Sequence, residues 1–339
     1  MIRFGVIGLG HWGPNYARLL NASIPGAVLA AGVDRVEAKL ESLQRHYPHI
    51  AVFTDHRQMI ESGAVDAVVV CTTATTHRQI VEDCLDGGLD VLVEKPMAPT
   101  TPDCEAMIER SRASGRLLMV GHTFLFNPAV QAIKRDIEAG HLGRVLYCYF
   151  QRTGLGPIRN DVNALWDLAP HDISMLGYWL KAEPIEVVAR GESYLQPGND
   201  DVVFMTLRYP GEVLASIHVS WLDPVKVRRA TIVGDQRMVV FDDVHASEKL
   251  RVYDKGASYQ PADGYFGAFV AAVRDGDILI PSVENREPLR EQLVHFAECV
   301  RDRTAPASGG ADGLAVVRVL ETAQAQLDQA RARPAAPVH

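Results

Sequence analysis

The chain has 339 residues, of which 47% are hydrophobic and 22% charged, which excludes a disordered or fibrous protein. The 34 Lys and Arg residues against 42 Asp and Glu residues give a net charge of −8. This charge argues against a protein that binds nucleic acids or anionic membranes, since both ligands attract a basic protein surface. The five cysteines are odd in number and show no C-x-x-C spacing, so reduced thiols are expected. No apolar run is long enough to span a bilayer and the N-terminus has no signal-peptide pattern, so a cytoplasmic protein is expected.

The first third of the chain alternates short apolar runs with amphipathic segments. Strands are predicted for residues 2–8, 27–34, 65–72, 90–94 and 117–121. Helices are predicted after the first strand and over residues 36–47 and 77–86. Such β-α alternation with continuously apolar strands predicts an α/β Rossmann domain, in which helices cover both faces of a doubly wound parallel sheet.

The pattern changes after Gly121. Helices are predicted for 127–140 and 167–180, a strand for 144–153, and successive strands without helices from 185 to about 253. Two helices follow, at about 287–303 and 312–331. We therefore predict a Rossmann domain over residues 1–122, an α+β domain with a large, open, mainly antiparallel sheet over 123–332, and a frayed tail over 333–339.

Residues 8–13 (GLGHWG) match the pattern G-x-G-x-x-G between a predicted strand and a predicted helix. Glycines allow the backbone at a helix N-terminus to approach a pyrophosphate closely. Asp34 lies 21 residues beyond Gly13, at the end of the next strand, where a carboxylate accepts hydrogen bonds from the adenosine ribose. Asp34 favours NAD, but Arg35 could pair with a 2′-phosphate, so NADP stays open. The alternative is an ordinary turn between a strand and a helix.

Polar residues also follow two other predicted strands at their carboxyl ends. The loop 72–77 suits the nicotinamide half of the cofactor, although Thr76 could simply cap the next helix. Glu94-Lys95-Pro96 ends the strand at 90–94, which places a lysine at the mouth of the cofactor crevice. The predicted cofactor contacts are Gly8, Gly10, His11, Trp12, Gly13, Asp34, Arg35, Thr72, Thr73, His77, Glu94 and Lys95.

Six segments together resemble the glucose–fructose oxidoreductase/inositol dehydrogenase (Gfo/Idh/MocA) family: GVIGLGHWG (5–13), VVVCTTATTH (68–77), GLDVLVEKPMA (88–98), VGHTFLFNPAV (120–130), WDLAPHDISML (166–176) and GGADGLAVVRVLETA (309–323). The resemblance implies a Rossmann domain, a second domain with an open sheet, and a homodimer or homotetramer formed through that sheet. It also implies that Lys95 holds the reacting substrate oxygen, that Pro96 follows a cis bond, and that Asp167 and His171 complete the site.

Oxidising a carbinol to a ketone removes a hydride and a proton, and a base must take the proton. The i, i+4 spacing puts Asp167 and His171 on one helix face, so Asp167 could stabilise the charged imidazole. His171 is the first choice as base; Lys95 could stabilise the alkoxide or relay the proton. One alternative is a helix-capping pair, since Pro170 falls in the expected first turn. A zinc site of His171, Asp172 and His122 or His141 lacks the usual ligand spacing, so no metal is predicted.

The sequence differs from the family pattern in two places. Ala169 stands where many members have Gly, a small change. Leu125 stands where many members have an Arg two residues before Asn-Pro, so one substrate or cofactor contact is not assigned.

Residues 151–166 read as a loop that leads into the helix carrying Asp167, and they resemble the subgroup acting on nucleotide-linked sugars. The first hypothesis is interconversion of a carbinol and a ketone at C3, as in UDP-N-acetylglucosaminuronate 3-dehydrogenases. Alternatives are a dTDP-3-keto-deoxysugar ketoreductase, an inositol or aminocyclitol dehydrogenase and, more distantly, a non-catalytic nicotinamide sensor. An arginine clamp would count against inositol, which carries no anion. The predicted substrate contacts are Lys95, Arg152, Arg159, Asn163, Trp166, Asp167 and His171.

Overall fold

The computed structural model of the protein describes residues 1–22, 24–261 and 269–332, with side chains placed outside 258–272. The chain divides into two compact units, one of Met1–Asn127 with Arg286–Arg318 and one of Pro128–Asn285 with the segment from Val319 onward. The predicted domains ended at residue 122 and kept 286–318 in the second domain, so the structure differs at both places. The predicted frayed tail, 333–339, lies outside the described residues.

The first unit is built on six parallel strands: β1 (Ile2–Ile7), β2 (Ala27–Val33), β3 (Ala51–Phe53), β4 (Ala67–Val70), β5 (Asp90–Val93) and β6 (Leu118–Val120). Their order, β3-β2-β1-β4-β5-β6, is that of a Rossmann sheet. The helices of this segment are α1 (Gly13–Ala22), α2 (Glu37–His46), α3 (His56–Glu61), α4 (Ala74–Asp86) and α5 (Thr101–Ser114), with a 3-10 helix at Thr123–Phe126. Every residue of β4 and β5 is buried, as expected for strands covered on both faces. The predicted doubly wound sheet is confirmed.

The second unit is built on an eight-stranded sheet. Its strands are β7 (Val145–Thr153), β8 (Glu186–Glu192), β9 (Val202–Arg208), β10 (Leu214–Ser220), β11 (Val227–Gly234), β12 (Met238–Asp242), β13 (Leu250–Pro261) and β14 (Phe269–Leu279). They lie in the order β14-β13-β12-β11-β7-β10-β9-β8. Neighbouring strands are antiparallel except β7 and β10, which pair in parallel, so the predicted mainly antiparallel sheet is confirmed.

Two helices of the second unit, α6 (Pro128–Glu138) and α7 (Ala164–Leu180), supply apolar side chains to its core. Trp179 of α7 stacks on Phe150 of β7 with ring centroids 5.9 Å apart, and its indole Nε1 donates to the Val130 carbonyl of α6 at 3.0 Å. Tyr147 and Tyr149, which alternate with the buried residues of β7, are exposed. The sheet therefore has one core face and one open face.

The chain closes with α8 (Pro288–Asp302) and α9 (Gly310–Arg331). Phe296 of α8 packs edge-on against Phe4 of β1 at 5.9 Å, and Arg303 pairs with the buried Asp90 at 2.6 Å. These contacts explain why residues 286–318 belong to the first unit. Within the described ranges, no helix combines the length and apolarity needed to cross a membrane.

Candidate active site

The glycine-rich loop lies between β1 and α1. Gly8 has a φ of +93°, and a Cβ there would lie 2.9 Å from the backbone of Cys71. A Cβ at Gly13 would lie 2.2 Å from the Gly8 carbonyl oxygen. A Cβ at Gly10, by contrast, would meet none of the described atoms within 4 Å. The loop is closed against the protein at both ends and open at its middle, which fits a pyrophosphate at the N-terminus of α1. The exposed residues at its tip are His11 and Trp12.

Asp34 directly follows β2, and its carboxylate contacts the glycine-rich loop. Its Oδ2 accepts hydrogen bonds from the Leu9 amide at 2.8 Å and Lys39 Nζ at 3.1 Å, and its Oδ1 accepts one from the Val36 amide at 3.0 Å. Burial acts to raise the pKa of Asp34, but these hydrogen bonds outweigh burial and lower it. An ionised carboxylate therefore lies beside the loop, as the binding of a ribose diol requires, with Arg35 exposed next to it.

Replacing Asp34 with alanine should weaken NADH binding at least about tenfold, the equivalent of one charge-assisted hydrogen bond. NADPH binding should be unchanged or stronger, because the repulsion between Asp34 and a 2′-phosphate disappears. Fluorescence titration with both cofactors measures the two dissociation constants. Asp66→Ala is the control, since Asp66 also pairs with a basic side chain, that of Arg3, but lies just before β4, at the opposite end of a strand from Asp34. An equal loss of both cofactors would contradict this role.

The loop after β4 is tied to the segment after β5. His77 is buried, and its ring nitrogens lie 3.1 Å from the carbonyl oxygens of Pro96 and Thr72. Thr76 Oγ1 donates to Thr72 Oγ1 at 2.8 Å, and Thr73 is the N-cap residue of α4. The predicted capping by Thr76 is therefore wrong. The structure places His77 where it fixes the two loops, and direct contact with the cofactor stays a prediction.

Lys95 follows β5 beside a buried hydrogen-bond network. Glu94 Oε1 accepts a hydrogen bond from the Tyr16 hydroxyl at 2.7 Å, and its Oε2 accepts one from the Lys95 amide at 2.9 Å. Gln292 Nε2 of α8 donates to the Tyr16 hydroxyl at 3.1 Å. Burial raises the pKa of Glu94, although the hydrogen bond from Tyr16 and the charge of Lys95 oppose it. Since protein donors engage both oxygens of Glu94, the network fixes the backbone at Lys95. The Lys95–Pro96 bond is cis, as the family resemblance implied.

The Tyr16→Phe substitution removes the hydroxyl group at the centre of this network. A buried oxygen of Glu94 then loses its donor, so the free energy of unfolding should fall by about 1–3 kcal/mol. Urea denaturation at neutral pH measures the loss. Tyr147→Phe is the control, because that hydroxyl belongs to an exposed residue and its removal should change stability little. Equal stability of both variants would contradict the importance of the network.

His122 lies next to Lys95 at the carboxyl edge of the sheet. Val93 of β5 pairs with Val120 of β6, and the Gly121 amide donates to the Val93 carbonyl at 2.7 Å. Lys95 and His122 therefore each lie two residues beyond a pair of aligned strand ends. His122 is 1% exposed, and within the described part of the chain neither of its ring nitrogens has a hydrogen-bond partner. Burial, together with the positive charge of Lys95, lowers the pKa of His122 to about 4.

This depressed pKa makes stability depend on pH. Above the ordinary pKa of histidine both the folded and the unfolded chain hold a neutral imidazole, whereas below it only the unfolded chain takes up the proton. The free energy of unfolding should therefore fall by about 2 kcal/mol between pH 7 and pH 5 because of this residue. His122→Phe should lack that part of the fall. Urea denaturation of both proteins at the two pH values measures the difference, and equal falls would contradict a depressed pKa.

The helix that carries Asp167 and His171 begins three residues earlier than predicted. Asn163 is its N-cap, and the Asn163 Oδ1 accepts a hydrogen bond from the Trp166 amide at 3.1 Å. Pro170 consequently lies inside the helix and not in its first turn. The interpretation of Asp167 and His171 as a helix-capping pair is therefore wrong. Both are half-buried and lie one turn apart on α7.

Asp167 is held by two residues from outside its helix. Arg159 Nη1 donates to its Oδ1 at 3.1 Å, and the indole Nε1 of Trp221 donates to its Oδ2 at 3.3 Å. Arg159 also pairs with Asp161 at 2.6 Å. These contacts orient the carboxylate of Asp167. Arg159, which was predicted to bind substrate, is therefore paired with two carboxylates, those of Asp161 and Asp167.

Arg152 lies at the end of β7, so the predicted loop is shorter, spanning 154–163. Its Nη2 and Nε donate to Asp172 Oδ1 at 2.6 and 3.0 Å, and the side chains are only 5% and 2% exposed. Burial raises the pKa of Asp172, and the charges of Arg152 and Arg228 oppose it. Asp172 thus holds Arg152 inside the second unit, and a substrate contact of Arg152 stays a prediction. Nowhere in the described ranges do three His, Cys, Asp or Glu residues form a group that could hold a metal ion.

Asn163 and Trp166 share one partner on α9. Asn163 Nδ2 and Trp166 Nε1 both donate to Gln324 Oε1, at 2.8 and 3.2 Å. They fix the N-terminus of α7, and their predicted contact with substrate stays a prediction. Sequence reasoning missed most of the residues that hold the predicted ones, because they come from distant segments: Tyr16, Trp221, Gln292 and Gln324. It considered Asp172 only as a zinc ligand. The sequence analysis considered His122 only as a zinc ligand. His122 follows β6 at the same spacing at which Lys95 follows β5, which indicates that the two residues lie at the same edge of the sheet.

Comparison with known proteins agrees with this geometry. Residues 2–122 match the model of an oxidoreductase family with an NAD-binding Rossmann fold, and residues 130–240 match the GFO/IDH/MocA C-terminal domain. A solved structure from Magnetospirillum magnetotacticum MS-1 is 30% identical, with a TM-score of 0.80 over 94% of this chain and 98% of that one. The chain belongs to the Gfo/Idh/MocA family. Its membership makes it an NAD-dependent oxidoreductase.

Two proteins similar to this Gfo/Idh/MocA chain are named for different substrates. The scyllo-inositol 2-dehydrogenase (NAD(+)) of Bacillus subtilis (strain 168) is 25% identical over 318 residues, which cover 90% of this chain and 88% of that protein. The UDP-N-acetylglucosamine 3-dehydrogenase GnnA of Acidithiobacillus ferrooxidans is 22% identical with a TM-score of 0.82, over 97% of this chain and 98% of that one. This second likeness shows a shared fold.

NAD fits the residues of this Gfo/Idh/MocA chain. The loop is open at Gly10, where a Cβ would fill the space a pyrophosphate needs, and Asp34 offers an ionised carboxylate to the ribose. Thr72 and Lys95 follow neighbouring strands at the carboxyl edge, where the nicotinamide half would extend. When bound, NAD supplies a hydride acceptor.

Proposed function

We propose that the protein oxidises a secondary alcohol of a neutral cyclic polyol or sugar to a ketone, with NAD as hydride acceptor. The main support for this proposal is that the two arginines predicted to bind an anion are already paired with carboxylates. Arg152 is buried against Asp172, and Arg159 pairs with Asp161 and Asp167. A clamp for a diphosphate needs guanidinium groups whose charge is not already matched by carboxylates.

We assign the following roles to side chains. Lys95 binds the hydroxyl oxygen and stabilises the negative charge that grows on it as the hydride leaves the carbon. His171 accepts the hydroxyl proton, and Asp167, held by Arg159 and Trp221, stabilises the resulting imidazolium. Glu94 and Tyr16 keep the backbone at Lys95 in place.

The second candidate is oxidation or reduction at C3 of a nucleotide-linked sugar. One observation favours it: the side chains of Arg159 and Asp161 are 42% and 51% exposed. Exposed ion pairs contribute about 0–1 kcal/mol, so a diphosphate could displace Asp161 from Arg159. Reduction of a dTDP-3-keto-deoxysugar would use the same residues in the reverse direction.

A substrate panel tests the proposal. The purified protein is given NAD with scyllo-inositol, myo-inositol, UDP-N-acetylglucosamine or UDP-N-acetylglucosaminuronate, and the absorbance of reduced nicotinamide is followed. We expect kcat/KM for a polyol to exceed that for the nucleotide sugars at least tenfold. The reverse order would establish the second candidate. No turnover by protein that binds NADH would overturn the proposal.

We also propose a homodimer or homotetramer that forms through the open face of the eight-stranded sheet. Tyr147, Tyr149 and Phe204 are exposed on its strands, and Phe204 is 56% exposed. Exposed aromatic side chains of this kind are enriched at interfaces. Light scattering during gel filtration should give an oligomer for the parent and a monomer for Phe204→Glu. A monomeric parent would contradict the assembly.

A further inference from the structure

Arg228 is a half-buried arginine of β11 that the roles assigned above do not use. It pairs in register with Arg152 of β7, so both side chains lie on the same face of the sheet, the face on which Asp172 holds Arg152. The next residues of β11 on this face, Ala230 and Ile232, are apolar and buried. An arginine at the end of such a row indicates a function other than packing.

The guanidinium of Arg228 has donors to spare. Its Nη1 donates to the carbonyl oxygens of Thr153 and Val227 at 2.7 and 2.8 Å. Among the described residues, no acceptor lies within hydrogen-bond distance of its Nε or Nη2, and no carboxylate forms an ion pair with it. Neither nitrogen belongs to the buried, unpartnered polar atoms of the described residues, so both reach solvent. A ligand can therefore approach them, whereas Arg152 is buried.

The charges around Arg228 indicate which kind of ligand it suits. Burial and the neighbouring guanidinium of Arg152 lower the pKa of Arg228, whereas the carboxylates of Asp172, Asp167 and Asp243 oppose that shift. Within this group three carboxylates face two arginines, so there is no surplus positive charge to attract an anion. Arg228 instead offers two N–H donors in a fixed, parallel fork.

Hydroxyl oxygens of a neutral ring accept hydrogen bonds from such donors without adding a charge. We propose that Arg228 binds two adjacent hydroxyl groups of the substrate through its Nε and Nη2. This inference rests on the proposed oxidation of a polyol or sugar. Because the charges of Asp167 and Asp172 act on Arg228, it lies close to the segment of α7 that carries His171. Arg228 thus determines which alcohols bind well beside the proposed base.

Two variants at this position test the inference. Arg228→Met removes every donor, and Arg228→Lys keeps the charge but replaces the fork with a single ammonium group. KM and kcat are measured with the polyol that the parent oxidises best, together with NADH affinity and the thermal midpoint of unfolding. Arg229→Met is the control, because Arg229 is the next residue of β11 but lies on the other face, paired with Asp242.

We expect Arg228→Met to raise KM at least tenfold while kcat and NADH affinity change less than threefold. This split indicates lost substrate binding, whereas a merely structural role would lower the thermal midpoint and leave KM unchanged. Arg228→Lys, which keeps the charge balance of the group, should fold even if Arg228→Met does not, and it should raise KM at least threefold. Arg229→Met should leave KM unchanged.

Three outcomes would count against these proposals. Unchanged KM in folded Arg228→Lys or Arg228→Met would overturn the assignment and leave the proposed function intact. A rise in KM for UDP-N-acetylglucosamine and not for the polyol would also overturn it, because Arg228 would then bind the diphosphate. If the parent oxidises no polyol or sugar, the proposed function fails and the assignment fails with it.

Discussion

Replacing Lys95 with alanine should lower kcat/KM at least about a thousandfold, because the group proposed to stabilise the developing alkoxide is lost. NADH affinity should change less than about threefold, since the proposed ribose and pyrophosphate sites at Asp34 and the glycine-rich loop remain intact. Stopped-flow turnover and fluorescence titration measure the two quantities separately. The same pair of measurements distinguishes an enzyme from a non-catalytic nicotinamide sensor, whose parent protein would bind NADH and show no turnover.

Two controls make the Lys95 result interpretable. Lys95→Met keeps the volume of the side chain without its charge and should be as inactive as the alanine variant. Lys249→Ala removes a lysine from the end of the turn before β13 and should leave turnover unchanged. Turnover of Lys95→Ala within tenfold of the parent would show that this lysine does not stabilise the alkoxide.

Replacing Asp172 with alanine should lower the free energy of unfolding by about 3–5 kcal/mol. The reason is the guanidinium of Arg152, which is 5% exposed and would be left in the core without its carboxylate. A loss of that size is a large part of the about 5–15 kcal/mol that stabilises a typical protein. Urea denaturation, followed by circular dichroism, measures it.

The matched control is Asp242→Ala, which breaks the pair between Arg229 and Asp242 on β11 and β12. That pair has a similar contact distance, 2.7 Å, but the Arg229 side chain is 47% exposed. Its loss should cost less than about 1 kcal/mol. The double variant Arg152→Met/Asp172→Leu should recover most of the stability, because no buried charge remains. Equal losses for the two single variants would contradict the role of burial.

The Rossmann sheet was predictable because each of its longer strands is a continuous apolar run. The three-residue β3 was not, since the apolar run Ala51–Phe53 is too short to predict a strand and is only half-buried. The contact between Asp34 and the glycine-rich loop was also predictable, because the two elements of this pattern have a fixed spacing along the chain, while their contact with a cofactor stays a prediction. The spacing along the chain therefore predicts that they lie close together.

The supporting contacts were less predictable. Tyr16 and Glu94 lie 78 positions apart, and Trp221 and Asp167 lie 54 apart, so only the tertiary fold brings these pairs together. Arg152 was predicted to contact substrate from a loop, because Gly154 and Gly156 follow it closely in the sequence. Its burial depends on Asp172, a residue on α7 whose charge is visible in the sequence but whose partner is not.

In the proposed reaction, a polyol carbinol gives its hydride to NAD at a site that depends on Lys95. The most direct test uses scyllo-inositol carrying deuterium at its ring carbons, with NAD and the purified protein, followed by mass spectrometry of the reduced cofactor. We predict reduced nicotinamide one mass unit heavier, formed by the parent and not by Lys95→Ala. Reduced cofactor without deuterium, or equal deuterium transfer by both proteins, would contradict the proposed hydride transfer.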